Sequence, residues 1–140
     1  MSDTPYSAHY EPPAPILMLR LAAPSSGAGV ALIGLVDTGA DMTLVPEATA
    51  RALSLPEISR VRVAGVTGPP ETADVFAATI EVAGSTFLGE VVGFGAETIL
   101  GRDVISRLVL TLDAPRNTLR IESPRRPRTK KRPGRRRSAS

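Results

Sequence analysis

The chain has 140 residues and a formal net charge of +3, with no cysteine and a single histidine, His9. This length allows one domain with a modest hydrophobic core. The lack of cysteine excludes a disulfide framework and thiolate metal sites. One histidine in a proline-rich stretch supports neither a Ser-His-Asp or Cys-His mechanism nor a histidine metal site, so we expect no metal and no cofactor.

The charges are divided unevenly along the chain. Residues 1–122 contain all 14 acidic and eight of the 17 basic residues, which gives a net charge of −6, whereas residues 123–140 contain nine basic residues and no acid. We therefore expect three parts: a flexible Pro-rich leader over residues 1–14, a folded domain over residues 15–122 and a basic, disordered tail over residues 123–140.

The sequence contains no apolar run of the length that a membrane span requires. The N-terminus also lacks the basic and apolar regions of a signal peptide. These two observations predict a soluble cytoplasmic protein that does not bind membranes.

Short apolar or alternating segments, separated by turn residues about every ten positions, predict an all-β barrel or sandwich. Pro46 suits the first turn of a helix, and we expect Ala48, Ala52 and Leu55 to share one face of it. The predicted strands, in order, are residues 16–21, 30–36, 42–45, 60–63, 72–82, 87–92, 99–100, 108–112 and 118–121. The predicted helices are residues 47–53 and 102–107.

An aspartate follows the second predicted strand, where the sequence reads Asp37-Thr38-Gly39. A buried strand holds the carboxylate in a fixed place, and Gly39 permits a sharp turn and a close approach of other atoms. The Thr38 hydroxyl can both donate and accept a hydrogen bond. By itself, this tripeptide also suits an ordinary turn after a strand.

Two further features distinguish this stretch from an ordinary turn. Ala40-Asp41 extends the motif, and Ile99-Leu100-Gly101-Arg102-Asp103 follows later in the chain. Together, these segments resemble the retroviral-type (retropepsin-like) aspartic proteases, whose Asp-Thr-Gly loop and hydrophobic-hydrophobic-Gly loop lie side by side. The resemblance covers roughly residues 14–122. It implies a closed β-barrel of the acid-protease type, with one or two short helices and one lobe per chain.

Peptide hydrolysis by carboxylates requires two of them close together, one ionised and one protonated. The chain has one Asp-Thr-Gly, and neither Asp103 nor Asp113 is followed by Thr-Gly. We therefore expect a homodimer that brings one Asp37 from each chain to a two-fold axis, with a peptide or protein as substrate.

The resemblance implies supporting roles for the residues around Asp37. Thr38 is expected to hydrogen-bond across the dimer, and the Gly39 carbonyl to accept a substrate N–H. Ala40 and Asp41 are expected to line the cleft. The substrate would bind in an extended conformation.

The second motif is expected to support the first. Gly101 would let its loop pack closely behind the catalytic loop, and Arg102 would pair with Asp41. If that ion pair is buried, losing one partner costs about 3–5 kcal/mol. The alternative is two exposed charges of no consequence.

The segment between the strands at 60–63 and 72–82 is rich in glycine and proline. It resembles the flap of the family, which closes over bound peptide, and places Gly65, Val66, Thr67 and Gly68 against the substrate. A plain surface hairpin is the alternative, and Pro69-Pro70 leaves the position of the tip undecided.

Two other functions stay open at this point. The chain could be a catalytically silent dimer that binds peptide, since fold does not imply function. Alternatively, residues 125–137 could bind nucleic acid through their basic side chains, without stacking because no aromatic residue lies among them.

Overall fold

The computed structural model of the protein describes residues 2–64 and 68–122. Within these ranges it has ten strands: β1 (Ser2–Pro5), β2 (Ile16–Ala22), β3 (Gly29–Val36), β4 (Leu44–Val45), β5 (Glu57–Val63), β6 (Glu71–Val82), β7 (Ser85–Gly93), β8 (Ile99–Leu100), β9 (Val109–Asp113) and β10 (Thr118–Glu122). The helices are α1 (Glu47–Ala52), α2 (Arg102–Ile105) and the 3-10 helix η1 (Ala114–Arg116). The predicted all-β class with short helices is confirmed.

Six strands form a closed ring in the order β2-β3-β8-β4-β7-β6, because β6 also pairs with β2. Strand β5 lies outside this ring and forms an antiparallel hairpin with β6. Two pairs, β3 with β8 and β4 with β7, run parallel. The predicted closed barrel is therefore confirmed, and the parallel pairing of β3 with β8 brings the ends of these two strands to the same edge.

Buried side chains of β2 and β6 form much of the core. In β2, Leu17, Leu19 and Leu21 are buried, whereas Met18 and Arg20 between them are exposed. Truncating such a buried leucine to alanine costs about 2–5 kcal/mol. The other buried members of this core are Ala23, Val45, Ala50, Leu55, Phe76, Ala78, Ile80, Val82, Val91, Leu100, Val104, Leu119 and Ile121.

The first residues of the chain belong to a second sheet, of order β1-β10-β9. Ser2 is paired with Ile121 and Pro5 with Thr118, and the Tyr6 N–H donates to the Asn117 carbonyl at 2.8 Å. A flexible leader is therefore the wrong description of Ser2–Pro5. Main-chain hydrogen bonds to β10 form this strand. Its sequence therefore shows no apolar pattern from which the strand could be predicted. The domain boundary at residues 14 and 15 stays a prediction.

Helix α1 begins after Pro46 as predicted, but it faces the core differently. Ala50 is fully buried, whereas Ala48 and Ala52 are exposed. The expected face was therefore wrong for these two alanines. A helix of six residues has fewer than two turns, so the spacing of its apolar residues does not define a face.

The predicted tail, residues 123–140, lies outside the described residues, as does Met1. Within residues 2–64 and 68–122, none of the helices has the length and apolar character needed to span a membrane.

Candidate active site

Strands β3 and β8 position the Asp-Thr-Gly turn. They pair in parallel, with Leu35 opposite Ile99 and Val36 opposite Leu100. The Asp37 N–H continues this ladder by donating to the Leu100 carbonyl at 3.0 Å. The half-buried Asp37 is therefore anchored directly to the second motif.

The Asp37 carboxylate shapes the turn that follows it. Its Oδ1 accepts a hydrogen bond from the Gly39 N–H at 2.9 Å, and its carbonyl accepts one from the Ala40 N–H at 3.2 Å. This is the local bonding by which aspartate stabilises a turn. Thr38 and Gly39 are exposed at the tip, where a partner or a substrate can reach them.

Gly101 packs against the main chain just after that turn. A Cβ at this position would lie 2.6 Å from the carbonyl carbon and oxygen of Met42 and 3.0 Å from the Ala40 oxygen. The next residue, Arg102, donates its backbone N–H to the same Ala40 carbonyl at 2.8 Å. Because the colliding atoms belong to the backbone, only glycine permits this packing of the two loops.

The Arg102 side chain joins the two motifs a second time. Its Nη1 donates to the Thr38 carbonyl at 2.9 Å, and its Nη2 forms an ion pair with Asp41. The side chains of Arg102 and Asp41 are 56% and 82% exposed, so the expectation of a buried pair was wrong for the single chain. A solvent-exposed ion pair contributes about 0–1 kcal/mol to stability. We therefore expect the larger effect of Arg102 to be the position of the Thr38 carbonyl.

Thr43 and Asp103 form a third link, which the sequence analysis did not identify. Thr43 is 1% exposed; its Oγ1 donates to Asp103 Oδ1 at 2.8 Å and accepts the Gly101 N–H at 3.1 Å. The Thr43 N–H donates to Asp103 Oδ2 at 3.2 Å. A single polar residue between Met42 and Leu44 was the only signal of this role in the sequence.

A cleft of about 850 Å³ opens beside Asp37. Gly39, Ala40 and Asp41 also line it, and their contact with a substrate stays a prediction. A small cluster of buried Ala73, Val75 and Val92 lies next to it, and the residues packed on this cluster are Met42, Leu44, Val61, Val63 and Phe94. The cleft is thus a largely apolar surface with carboxylates at one part of its wall.

Two walls of the cleft were not predicted. One is the loop between β7 and β8, which contributes Phe94, Gly95, Ala96 and Glu97. The other is β5, which contributes Val61 to Val63. No motif marks these residues, because their closeness to Asp37 depends on the way the strands pair.

The segment predicted as the flap connects β5 and β6, which form an antiparallel hairpin, and residues of β5 border the cleft. Gly65, Val66 and Thr67 lie outside the described residues. Gly68 is exposed and has a φ of 89°, a conformation that glycine adopts without strain. A substrate contact of these four residues stays a prediction.

Across residues 2–64 and 68–122, no three His, Asp or Glu side chains are grouped as ligands of a metal ion. The nearest charged groups to the Asp-Thr-Gly turn instead form the ion pair of Asp41 with Arg102.

Comparisons with solved structures find proteins of similar fold. The chain resembles a retropepsin-like aspartic protease from Rickettsia conorii, with a TM-score of 0.52 and 16% identity over 79% of this chain and 93% of the other. The chain is also similar to the EIAV protease in complex with an inhibitor, with a TM-score of 0.48 and 21% identity over 74% of this chain and 92% of the other. A third similar structure is the simian foamy virus protease, with a TM-score of 0.49 and 22% identity over 66% of this chain and 92% of the other.

None of the curated proteins matches the sequence. A family model described as aspartyl protease matches residues 26–103, which is more than half of the chain and includes both motifs. The chain therefore belongs to the aspartyl protease family, in its retropepsin-like form.

Proposed function

We propose that the protein is a homodimeric aspartic endopeptidase, in which two Asp37 carboxylates, one from each chain, activate water for peptide hydrolysis. The observation that carries the proposal is the Asp37-to-Ala40 turn: its carboxylate borders an apolar cleft, and its tip is exposed. Asp37 makes no ion pair with any residue in 2–64 or 68–122.

We expect the second carboxylate to come from another chain, because the sequence contains one Asp-Thr-Gly. Asp103 is bonded to Thr43 and to the Val104 N–H, and Asp113 accepts from the Arg116 N–H at the start of η1. Both thus have structural contacts, and neither lines the cleft. Asp41 does line it but is paired with Arg102. A two-fold axis beside the exposed turn supplies an equivalent Asp37.

The reaction follows from two carboxylates that share one proton. The ionised carboxylate removes a proton from water as the water oxygen attacks the peptide carbonyl, while the protonated one donates a hydrogen bond to the carbonyl oxygen. The tetrahedral intermediate then breaks its C–N bond, and the amine nitrogen receives a proton from the carboxylate pair.

Substrate binding uses the residues around the pair. An extended peptide places an N–H against the Gly39 carbonyl and its side chains against the cleft lined by Ala40 and Asp41. Residues 65–68, which lie between β5 and β6 in the sequence, are expected to close over it. Thr38 supports the dimer by a hydrogen bond between the two turns.

Two alternatives compete with this proposal. A catalytically silent dimer that only binds peptide has the same cleft. Measuring peptide hydrolysis distinguishes this dimer from the enzyme. The nine basic residues among residues 123–140 favour a role in nucleic-acid binding. If the segment has this role, deleting it abolishes a salt-sensitive affinity for nucleic acid without changing peptide cleavage.

The test combines cleavage with subunit mixing. The wild type is expected to cleave members of a peptide library, and Asp37→Asn to cleave none while remaining a dimer by analytical ultracentrifugation. When equal amounts of both chains are refolded together, random pairing leaves about a quarter of the dimers with two aspartates, and activity should fall to that fraction. Activity of about one half means that each chain works alone, and a wild-type dimer without cleavage refutes the enzyme.

A further inference from the structure

The loop between β7 and β8 is held at both ends. The Phe94 N–H donates to the Val45 carbonyl at 3.0 Å, and the Thr98 carbonyl accepts the Leu35 N–H at 2.9 Å. Thr98 itself is buried, with 8% of its surface exposed. Glu97 comes directly before this anchor, so its main chain has a defined position relative to β3 and to the Asp37 that follows β3.

Glu97 is a cleft residue without a charged partner. It is exposed and lines the same cleft as Asp37. No ion pair or side-chain hydrogen bond connects it to any other residue of 2–64 or 68–122, whereas Asp41 on the same cleft is paired with Arg102. The Glu97 carboxylate is therefore available to a ligand in the cleft.

Among the residues that the structure describes, Arg62 is the basic residue that lines the cleft, and it forms no ion pair with Glu97. Arg62 lies on β5 between Val61 and Val63, and these two valines pack against the apolar cluster next to the cleft. Since successive side chains of a strand point to opposite faces, the Arg62 side chain points away from the face that the valines share. Glu97 is therefore a cleft carboxylate that forms no ion pair with Arg62 or with any other residue of 2–64 or 68–122.

We propose that Glu97 is a specificity-determining residue, and that the cleft prefers substrates with a lysine or arginine close to the scissile bond. This inference rests on the proposed peptidase function. The long aliphatic stem of lysine or arginine packs on the apolar wall that includes Phe94 and Ile99, while its charged end reaches the Glu97 carboxylate. An acidic side chain at the same place meets a like charge and is rejected.

Binding is the first measurement, because it does not depend on turnover. Short fluorescent peptides with apolar residues at the centre and either lysine or norleucine at each flanking position in turn are titrated against the full-length Asp37→Asn protein. Norleucine keeps the carbon stem and lacks the ammonium group. At one position, lysine should bind about tenfold more tightly than norleucine, which is the size expected of a partly desolvated ion pair.

Variants then test whether Glu97 causes the preference for lysine over norleucine. Adding Glu97→Gln to Asp37→Asn should remove the preference for lysine while leaving norleucine binding unchanged, and Glu97→Lys should transfer the preference to glutamate. Glu81→Gln is the matched control, because Glu81 is an exposed glutamate of β6 that does not line the cleft. It should leave the preference intact.

The outcomes separate this inference from the proposed function. The same peptides are also given to the wild type, and their cleavage rates are compared. Cleavage without a lysine preference, or a preference that survives Glu97→Gln, overturns the role of Glu97 and leaves the peptidase standing. A preference that depends on Glu97 in a protein that cleaves nothing supports the role of Glu97 and refutes the peptidase. Absence of both binding and cleavage refutes both.

Discussion

Thr43 and Asp103 are 60 residues apart in the chain and are joined by two hydrogen bonds. The Thr43 hydroxyl donates to one carboxylate oxygen at 2.8 Å, and its N–H donates to the other at 3.2 Å. The same hydroxyl accepts the N–H of Gly101 at 3.1 Å. One buried side chain thus ties the segment after the Asp-Thr-Gly turn to both the Gly101 loop and α2. The relative position of the two motifs depends on this link.

Replacing Thr43 by valine keeps the volume and removes the hydroxyl. The buried N–H of Gly101 then loses its acceptor, whereas Asp103 Oδ1 keeps the hydrogen bond from the Val104 N–H. An unsatisfied buried donor costs about 1–3 kcal/mol. We expect Thr43→Val to lower the free energy of unfolding by this amount in chemical denaturation. The matched control is Thr72→Val on the exposed part of β6, which should change it by less than about 0.5 kcal/mol. Equal stability of the two variants contradicts the role of the hydroxyl.

A methyl group at Gly101 collides with backbone rather than with a movable side chain. The added Cβ meets two Met42 atoms at 2.6 Å, so the two loops have to separate. We expect Gly101→Ala to cost about 1–3 kcal/mol of stability and to reduce peptide cleavage. In Gly27→Ala, by contrast, the new Cβ has no atom within 4 Å. Chemical denaturation and cleavage rates should both distinguish the two variants. A fully active Gly101→Ala protein contradicts the close packing of the two loops.

Exchange of Arg102 for lysine should affect catalysis more than stability. Lysine carries one point charge and cannot serve the Thr38 carbonyl and Asp41 together as the guanidinium does. Because the pair is exposed, the free energy of unfolding should change by about 0–1 kcal/mol. Displacement of the catalytic turn should lower kcat/KM by about tenfold or more.

The control for Arg102 is Arg120→Lys, which alters another exposed pair, the one that Arg120 forms with Asp3. This variant should keep the wild-type kcat/KM. If Arg102→Lys loses stability but keeps its activity per folded dimer, the guanidinium supports the fold and does not position the turn.

The pH dependence of cleavage reports on the carboxylate pair. At low pH the carboxylate that accepts the proton from water becomes protonated, and at higher pH the shared proton is lost, so the rate falls on both sides. We expect a bell-shaped kcat/KM with its maximum in the acidic range, between about pH 3 and 7. Dimer content and unfolding are measured at each pH so that dissociation is not mistaken for titration. A rate that rises steadily into the alkaline range excludes a carboxylate pair.

The sequence by itself determined much of the local structure. A short apolar run predicts β2, alternation predicts residues 60–63 of β5, and Pro46 marks the start of α1. The sequence also predicts the two motifs, the strands that precede them and the all-β class. These features are local, because the period of apolar residues records which side of an element is buried.

The tertiary structure decided the relations between distant residues. The pairing of β1 with β10, the exposure of the Asp41 and Arg102 side chains, the link from Thr43 to Asp103 and the place of Glu97 on the cleft are examples. None of them has a local pattern in the sequence. Strand pairing is made by main-chain hydrogen bonds that every residue type except proline can form, so the order and register of the strands become known only when the whole barrel closes.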